Sequence, residues 1–130
     1  MWKENLPENC PPNSAIEVEK ELYRISHSNP MNENDFLPYV KLYPENQRYK
    51  DLCLAYALSF YDTSENAKIA YESAKTRDKI LGRFIIRLKM KSEFGKCEEN
   101  TSNGHHSVWF YETWSFNNFT ALSVIEINDN

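Results

Sequence analysis

Four polar side chains follow an apolar run at the point where a helix is predicted to begin. The run, LCLAYAL at residues 52–58, has the length and flanking turn signals of a strand covered on both faces. The four are Ser59, Tyr61, Asp62 and Thr63. A helix N-terminus offers free N–H groups and the positive end of the helix dipole, so this place favours an anionic ligand such as phosphate. Capping of the helix by Asp62, with Glu65 three residues later, explains the same residues without a ligand.

Two adjacent histidines, His105 and His106, precede an aromatic segment. A histidine near neutral pH can act as a general acid or base. Neighbours along a strand point to opposite faces, so at most one of the two faces a given site. Together with Arg24 and Tyr61, that histidine would allow phosphodiester cleavage or phosphoryl transfer. The alternative is that both histidines contact only solvent or Trp109.

The three cysteines, at positions 10, 53 and 97, are too few and too scattered to predict a disulfide framework. Cys53 lies in the apolar run and is expected to be a small core residue. Cys97 with the two histidines matches no tight zinc pattern, so no metal cofactor is expected. A nucleophilic pair of Cys97 and His105 is a further alternative, although the polar segment around Cys97 does not favour it.

The composition bounds the class of protein. A chain of 130 residues is most simply one domain. The formal net charge of -4 argues against broad nucleic-acid binding and against binding to a membrane surface. The sequence has neither a signal-like segment nor an apolar span of about 20 residues, so it predicts a cytoplasmic protein without a membrane partner.

The hydrophobic pattern predicts two helices early in the chain and several strands late, an order that fits one α+β domain. We expect a curved, mainly antiparallel sheet. Residues 1–14 contain three prolines and are predicted to be an extended arm, so that the domain covers residues 15–127. Helices are predicted over 32–43 and from about 62, and strands within 15–28, 52–58, 81–90, 105–113 and 119–127. Residues 91–104 are predicted to be a mobile loop, and the tail 128–130 to fray.

Three short segments share a pattern with a known family. In LYRI, Leu22–Ile25, an arginine follows an aromatic residue, and in ALSFYDTSENA, residues 57–67, a strand ends in serine before a capped helix. The strand FIIRL, residues 84–88, follows that helix. In this order the segments resemble the first strand, the second motif and the next strand of ADP-ribosyltransferase-like domains. The resemblance covers roughly residues 20–90.

The resemblance implies an NAD site. In such a site Arg24 would contact the phosphates or ribose of the dinucleotide, because a guanidinium fork matches phosphate oxygens. Ser59 would support the site from the second strand, and Tyr61 would stack on the nicotinamide ring. His105 and Trp109 would line the far wall.

The family also implies a catalytic glutamate near a late strand, which stabilises a cationic transition state. Glu112 is the nearest candidate, with Glu98 and Glu99 in the preceding segment as weaker ones. Phe110 stands two residues before Glu112, where the family has Gln or Glu. This departure puts the transferase activity in question.

Aromatic residues are concentrated between positions 109 and 119. Alternation places Trp109 and Tyr111 on one face of a strand, with Val108 and Phe110 on the other. If the first pair is exposed, it forms a binding platform; if not, the strand is buried on both sides.

The sequence thus leaves two functions open. The first is an ADP-ribosyltransferase-like domain that binds NAD or a related nucleotide, with catalysis retained or lost. The alternative is a non-catalytic interaction module of a multi-component bacterial system, which binds a partner protein through its aromatic C-terminal strands. Convergence of Arg24, Ser59 and Glu112 in one cleft would favour the enzyme.

Overall fold

A single antiparallel sheet of six strands forms the centre of the protein. The computed structural model describes residues 1–127, so the predicted frayed tail lies outside the described residues. The strands are β1 (Lys20–Ser26), β2 (Leu58–Tyr61), β3 (Phe84–Met90), β4 (Gly95–Asn100), β5 (His105–Phe110) and β6 (Ser123–Glu126). Their order in the sheet is β4-β5-β2-β1-β3-β6, and every neighbouring pair is antiparallel. With two helices beside this sheet, the prediction of a single α+β domain is confirmed.

Helix α2 (Ser64–Lys75) packs one face against the sheet. Ala67, Tyr71 and Ala74 are its buried residues, and their spacing places them on one face of the helix. The N-cap is Thr63, whose hydroxyl accepts from the backbone N–H of Asn66 at 3.0 Å. The prediction of Asp62 as the cap was wrong by one residue, because the Asp62 carboxylate accepts from the side-chain amide of Asn66 instead.

The helix predicted over 32–43 is broken into two short turns. A 3-10 turn covers Glu33–Phe36 and is capped by Asn32, and helix α1 covers Tyr39–Leu42. The break falls at Leu37 and Pro38, both in extended conformation. Proline disfavours helical geometry in the residue before it, so the two turns cannot merge.

The predicted buried strand at 52–58 was wrong. A 3-10 turn covers Cys53–Tyr56, and β2 begins only at Leu58. Leu54 is 63% exposed, so the apolar run does not mark a doubly covered strand. Cys53 is not a free core residue either, because it forms a disulfide with Cys10 and anchors the turn to the N-terminal arm.

The predicted mobile loop over 91–104 contains the edge strand β4. This strand pairs with β5 along its whole length, and Ile16 forms a bridge on its other side at Cys97. Gly95 permits the close pairing, since a Cβ there would lie 2.1 Å from the Trp109 carbonyl oxygen. Strand β4 lies at the edge of the sheet, and its polar residues are those of an antiparallel strand with one face in contact with water. Its sequence therefore resembles that of a loop.

Two apolar clusters cover the two faces of the sheet. One includes Leu22, Phe60, Ile86 and Val108, together with the aromatic residues Phe94, Phe110, Trp114 and Phe119. The other packs beneath α2 and includes Ile25, Tyr61, Ala67, Tyr71 and Ile85. None of the helices in the described part of the chain combines the length and apolar character that a membrane span needs.

Candidate functional site

A cleft of about 800 Å³ opens between helix α2 and the chain segment 34–57. Its floor is the place where β1 and β2 meet. Arg24, Ser59, Tyr61 and His105 all line it, together with residues of α2 and of the turn around Tyr39. Four of the six predicted site residues therefore share one cavity.

Arg24 lies in a gap of the sheet. Strands β1 and β2 share a single registered pair, Tyr23 with Tyr61, and the Arg24 guanidinium bridges the space beyond it. Its Nε and Nη2 donate to the carbonyl oxygen of Asp35 at 3.0 and 2.7 Å, and Nη1 donates to the carbonyl oxygen of Ser59 at 2.7 Å. The side chain thus replaces backbone hydrogen bonds that the separated strands cannot make.

The charge of Arg24 is held by dipoles and rings rather than by an ion pair. Its guanidinium carbon lies 5.2 Å from the Phe36 ring centroid and 5.5 Å from that of Phe60. Among residues 1–127 no carboxylate forms a salt bridge with it. Burial lowers the pKa of Arg24 to about 10, an effect that nearby Asp35 opposes. At neutral pH the group is still a cation.

Ser59 and His105 form a hydrogen-bonded pair at the cleft surface. Ser59 Oγ lies 2.9 Å from His105 Nε2, and the Ser59 side chain is exposed. The imidazole packs against Tyr61 edge to face, with 5.4 Å between the ring centroids, and the His105 backbone N–H donates to Asn103 Oδ1. Burial lowers the pKa of His105, and neighbouring His106 lowers it further. The ring is therefore neutral at pH 7.

The cleft is electropositive and has an apolar rim. Arg24, Arg77 and Lys79 line it, and among the described lining residues Asp35 is the one acid. The Asp35 carboxylate is already engaged, since it accepts from the backbone N–H groups of His27 and Asn32. At the rim, exposed Tyr39 stacks on Tyr49 at 5.6 Å, beside the exposed side chain of Leu54.

Glu112, the predicted catalytic residue, lies elsewhere. It is exposed, its carboxylate is 3.3 Å from the N-terminal nitrogen of Met1, and its backbone N–H donates to the Met1 carbonyl. His105 pairs with Tyr61 at one end of β5, whereas Glu112 follows the other end. Seven extended residues span about 23 Å, so Glu112 cannot act on a ligand held by Arg24 and Ser59. The structure does not bring Glu112 together with Arg24 and Ser59.

The weaker glutamate candidates lie on the edge strand β4. Glu98 accepts from the Ser14 hydroxyl, and Glu99 lies 3.9 Å from the Lys20 amine. Neither lines the cleft.

Trp109 is a support of the cleft wall and not a binding platform. Its side chain is 1% exposed, and its Nε1 donates to the carbonyl oxygen of Cys53 at 3.1 Å. Alternation along β5 follows the prediction, but the face that carries Trp109 is covered at this point by the turn Cys53–Tyr56. Trp109 therefore matches the alternative of a buried strand and does not line the cleft.

The Cys97–His105 pair does not form. Cys97 packs into the core cluster opposite Val108, whereas His105 faces the cleft. Burial raises the pKa of the Cys97 thiol to about 12, which leaves no reactive thiolate. Residues 1–127 also contain no group of three potential metal-ligating side chains.

His106 is fully buried, and its Nδ1 lies 3.0 Å from the carbonyl oxygen of Gly104. Its Nε2 has no partner within residues 1–127. Burial lowers the pKa of His106. The hydrogen bond to the Gly104 carbonyl raises it, as do the carboxylates of Glu99 and Asp62, and the nearby Lys20 lowers it. The folded protein therefore disfavours the protonated imidazole.

Stability is expected to fall as the pH drops below the ordinary histidine value of 6.5. In that range the unfolded chain binds more protons at His105 and His106 than the folded protein does, so acid favours unfolding. Each histidine contributes a slope of at most about 1.4 kcal/mol per pH unit. Urea unfolding between pH 7 and pH 5 measures the slope, and His106→Gln should make it shallower. An unchanged slope in that variant would contradict the buried, neutral state of His106.

Sequence reasoning missed three contributors to the cleft: Asp35, Tyr39 and Asn103. Asp35 presents its carbonyl oxygen to Arg24 because the capping box with Asn32 fixes the turn there. The spacing of Asn32 and Asp35 was a readable signal for that turn. The positions of Tyr39 and Asn103 had no comparable signal, because they depend on how the chain returns across the sheet.

No protein-family model matches the chain, and neither a curated protein nor a solved structure matches it.

Proposed function

We propose that the cleft binds a nucleotide, NAD or a close relative, as an ADP-ribosyltransferase-like domain whose transferase chemistry is lost. The observation that carries the proposal is the state of Arg24. Its guanidinium is a partly buried cation that donates three hydrogen bonds to carbonyl oxygens and has no carboxylate partner within residues 1–127. A guanidinium has five N–H donors, so two remain for phosphate oxygens.

Size and lining support a nucleotide more than a simple anion. A volume of about 800 Å³ lies within the usual range of small-molecule sites, which are mostly apolar with a few fixed polar groups. The stacked pair of Tyr39 and Tyr49 offers aromatic surface to a base or a nicotinamide, whereas Tyr61 is buried except for 9% of its surface. Arg77 and Lys79 add positive charge at the opposite side of the cleft.

The loss of transferase chemistry follows from the position of the acids. Stabilising a cationic transition state needs a free carboxylate beside the bound ribose. Asp35 is committed to two backbone N–H groups, and Glu112 is at the far end of β5. A neutral His105 beside Ser59 cannot replace a negative charge.

The alternative of an aromatic partner-binding surface has little support. Of the aromatic residues between 109 and 119, Trp109, Phe110, Trp114 and Phe119 are all buried. Their packing in the core leaves Tyr111 and Phe116, both half-buried, as the aromatic side chains of this segment that a partner could reach.

Calorimetric titration with NAD, ADP-ribose and nicotinamide tests the proposal. Wild type is expected to bind NAD, and Arg24→Met to bind it about 10- to 100-fold more weakly, because charge-assisted hydrogen bonds to phosphate are worth about 1.5–3 kcal/mol. Arg87→Met is the matched control, since Arg87 lies on β3 and pairs with Glu21 outside the cleft. Circular dichroism checks that each variant is folded. Absence of binding to folded wild type at millimolar NAD would overturn the proposal.

A further inference from the structure

We propose that Ser59 and His105 act as a nucleophile and its general base, and that the cleft therefore also cleaves carboxylic esters with an apolar acyl group. This activity goes beyond nucleotide binding and does not require it. The geometry that points to it is the distance of 2.9 Å between Ser59 Oγ and His105 Nε2, at the exposed surface of a cleft. A hydroxyl within hydrogen-bond reach of an imidazole nitrogen is the arrangement by which serine is activated.

The pair is held in a productive orientation. Ser59 is fixed in β2, where it lies opposite Ser107 of β5, and its carbonyl oxygen accepts from Arg24. The His105 backbone is anchored by Asn103 Oδ1, and its ring is wedged edge to face against Tyr61. These contacts come from several separate elements, so the two reacting side chains are positioned before any ligand arrives.

The protonation state suits a base. Burial keeps the His105 ring neutral at pH 7, so Nε2 is free to accept a proton when Nδ1 carries the hydrogen. In that tautomer the Ser59 hydroxyl donates to Nε2, which is the direction that proton transfer needs. Neighbouring His106 acts in the same direction as burial and lowers the pKa of His105 further.

The reaction balances with water as the second reactant. Ser59 Oγ forms a bond to the ester carbonyl carbon, and its proton passes to His105 Nε2. The ester C–O bond breaks, and the alcohol leaves with that proton. Water then attacks the acyl-serine with His105 again as base, releasing the acid and restoring the hydroxyl.

The surroundings define the substrate class. Arg24 lines the same cleft and donates to the Ser59 carbonyl oxygen, and its positive charge favours the oxyanion that develops on the ester carbonyl oxygen. The rim residues Tyr39 and Leu54 are exposed and apolar, and therefore fit an alkyl or aryl acyl group better than a polar one.

An alkyl fluorophosphonate tests the pair directly. Ser59 Oγ attacks the phosphorus of the reagent, the P–F bond breaks and fluoride leaves. Intact-protein mass spectrometry of the full chain should show one adduct, and peptide mapping should locate it at Ser59. Ser59→Ala should give no adduct. His105→Gln should react at least about 100-fold more slowly than wild type, because a general base usually contributes at least that factor to the rate.

Ser73→Ala is the matched control and should be labelled like wild type, because Ser73 lines the same cleft without a histidine partner among residues 1–127. Circular dichroism verifies the fold of every variant. Absence of an adduct at Ser59 of the folded wild type, or an unchanged rate in His105→Gln, would overturn the inference. Labelling is measured without nucleotide, so this result and the NAD titration can each fail independently of the other.

Discussion

Replacing both Cys10 and Cys53 by alanine is expected to lower the free energy of unfolding by about 4 kcal/mol. The two residues are 43 positions apart, and their disulfide restricts the unfolded chain over that whole loop. The loss of loop entropy in the unfolded state is the main source of the stabilisation. Urea unfolding of oxidised wild type and of the double variant measures the difference.

Two controls separate the disulfide from the loss of the side chains. Wild type treated with a phosphine reductant should unfold at nearly the same urea concentration as the double variant. Cys97 is the free cysteine of the described chain, and it should not change the effect of the reductant when replaced by alanine. Equal unfolding midpoints with and without reductant would contradict the expected role of the disulfide.

The disulfide also matters for the cleft. It fixes Cys53 at the start of the turn that carries Leu54 to the rim, in a segment with few buried residues of its own. Reduction should therefore weaken ligand binding as well as stability. Disulfides are typical of oxidising compartments, which is at odds with the cytoplasmic location that we predicted because the sequence has no signal-like segment.

The sequence predicted the elements whose burial follows a regular period. Helix α2 was recognisable because one of its faces packs into a core cluster, and strands β1 and β3 because each contributes apolar residues to the clusters on both faces of the sheet. The turn at Cys53–Tyr56 was not, because a covalent link to Cys10 and a hydrogen bond from Trp109 hold it. Contacts with residues far away in the sequence leave no periodic pattern in the turn itself. The apolar run at 52–58 therefore resembled a strand.

The same distinction applies to the site. Arg24 was identified because it lies on a strand whose position the local pattern gives. Ser59 and Tyr61 were identified because they precede the start of a helix, although the structure has them within β2. The choice between His105 and Glu112 depended on the register of β5 against β2, which pairs His105 with Tyr61. Alternation predicts which face of the sheet a residue of β5 lies on. It does not predict which end of β5 lies beside Ser59 and Tyr61 of β2.

Trp109→Ala is expected to destabilise the protein by about 3–5 kcal/mol, the usual cost of deleting a large buried aromatic side chain. Trp109 is 1% exposed, and its Nε1 donates to the Cys53 carbonyl. Trp109→Phe keeps most of the volume and loses that hydrogen bond, so a smaller loss of about 1–3 kcal/mol is expected. Urea unfolding under oxidising conditions measures both variants.

Trp114→Phe is the matched control for the hydrogen bond. Trp114 is also buried, but its Nε1 has no partner within residues 1–127, so the same substitution removes no hydrogen bond there. It should therefore cost less than Trp109→Phe. Equal costs would mean that the bond to Cys53 contributes nothing to stability.

A double-mutant cycle connects this prediction to the disulfide. Trp109 and the bond to Cys10 both hold Cys53, so removing either one lets the turn move away from the other. One arm of the cycle is Trp109→Ala, and the other is the double variant that replaces both Cys10 and Cys53 by alanine. The decrease in the free energy of unfolding of the combined variant should be smaller than the sum of the two separate decreases, because residues with a shared partner are coupled. Strict additivity would mean that the turn is held at other points, and the cleft wall would then stay in place after reduction.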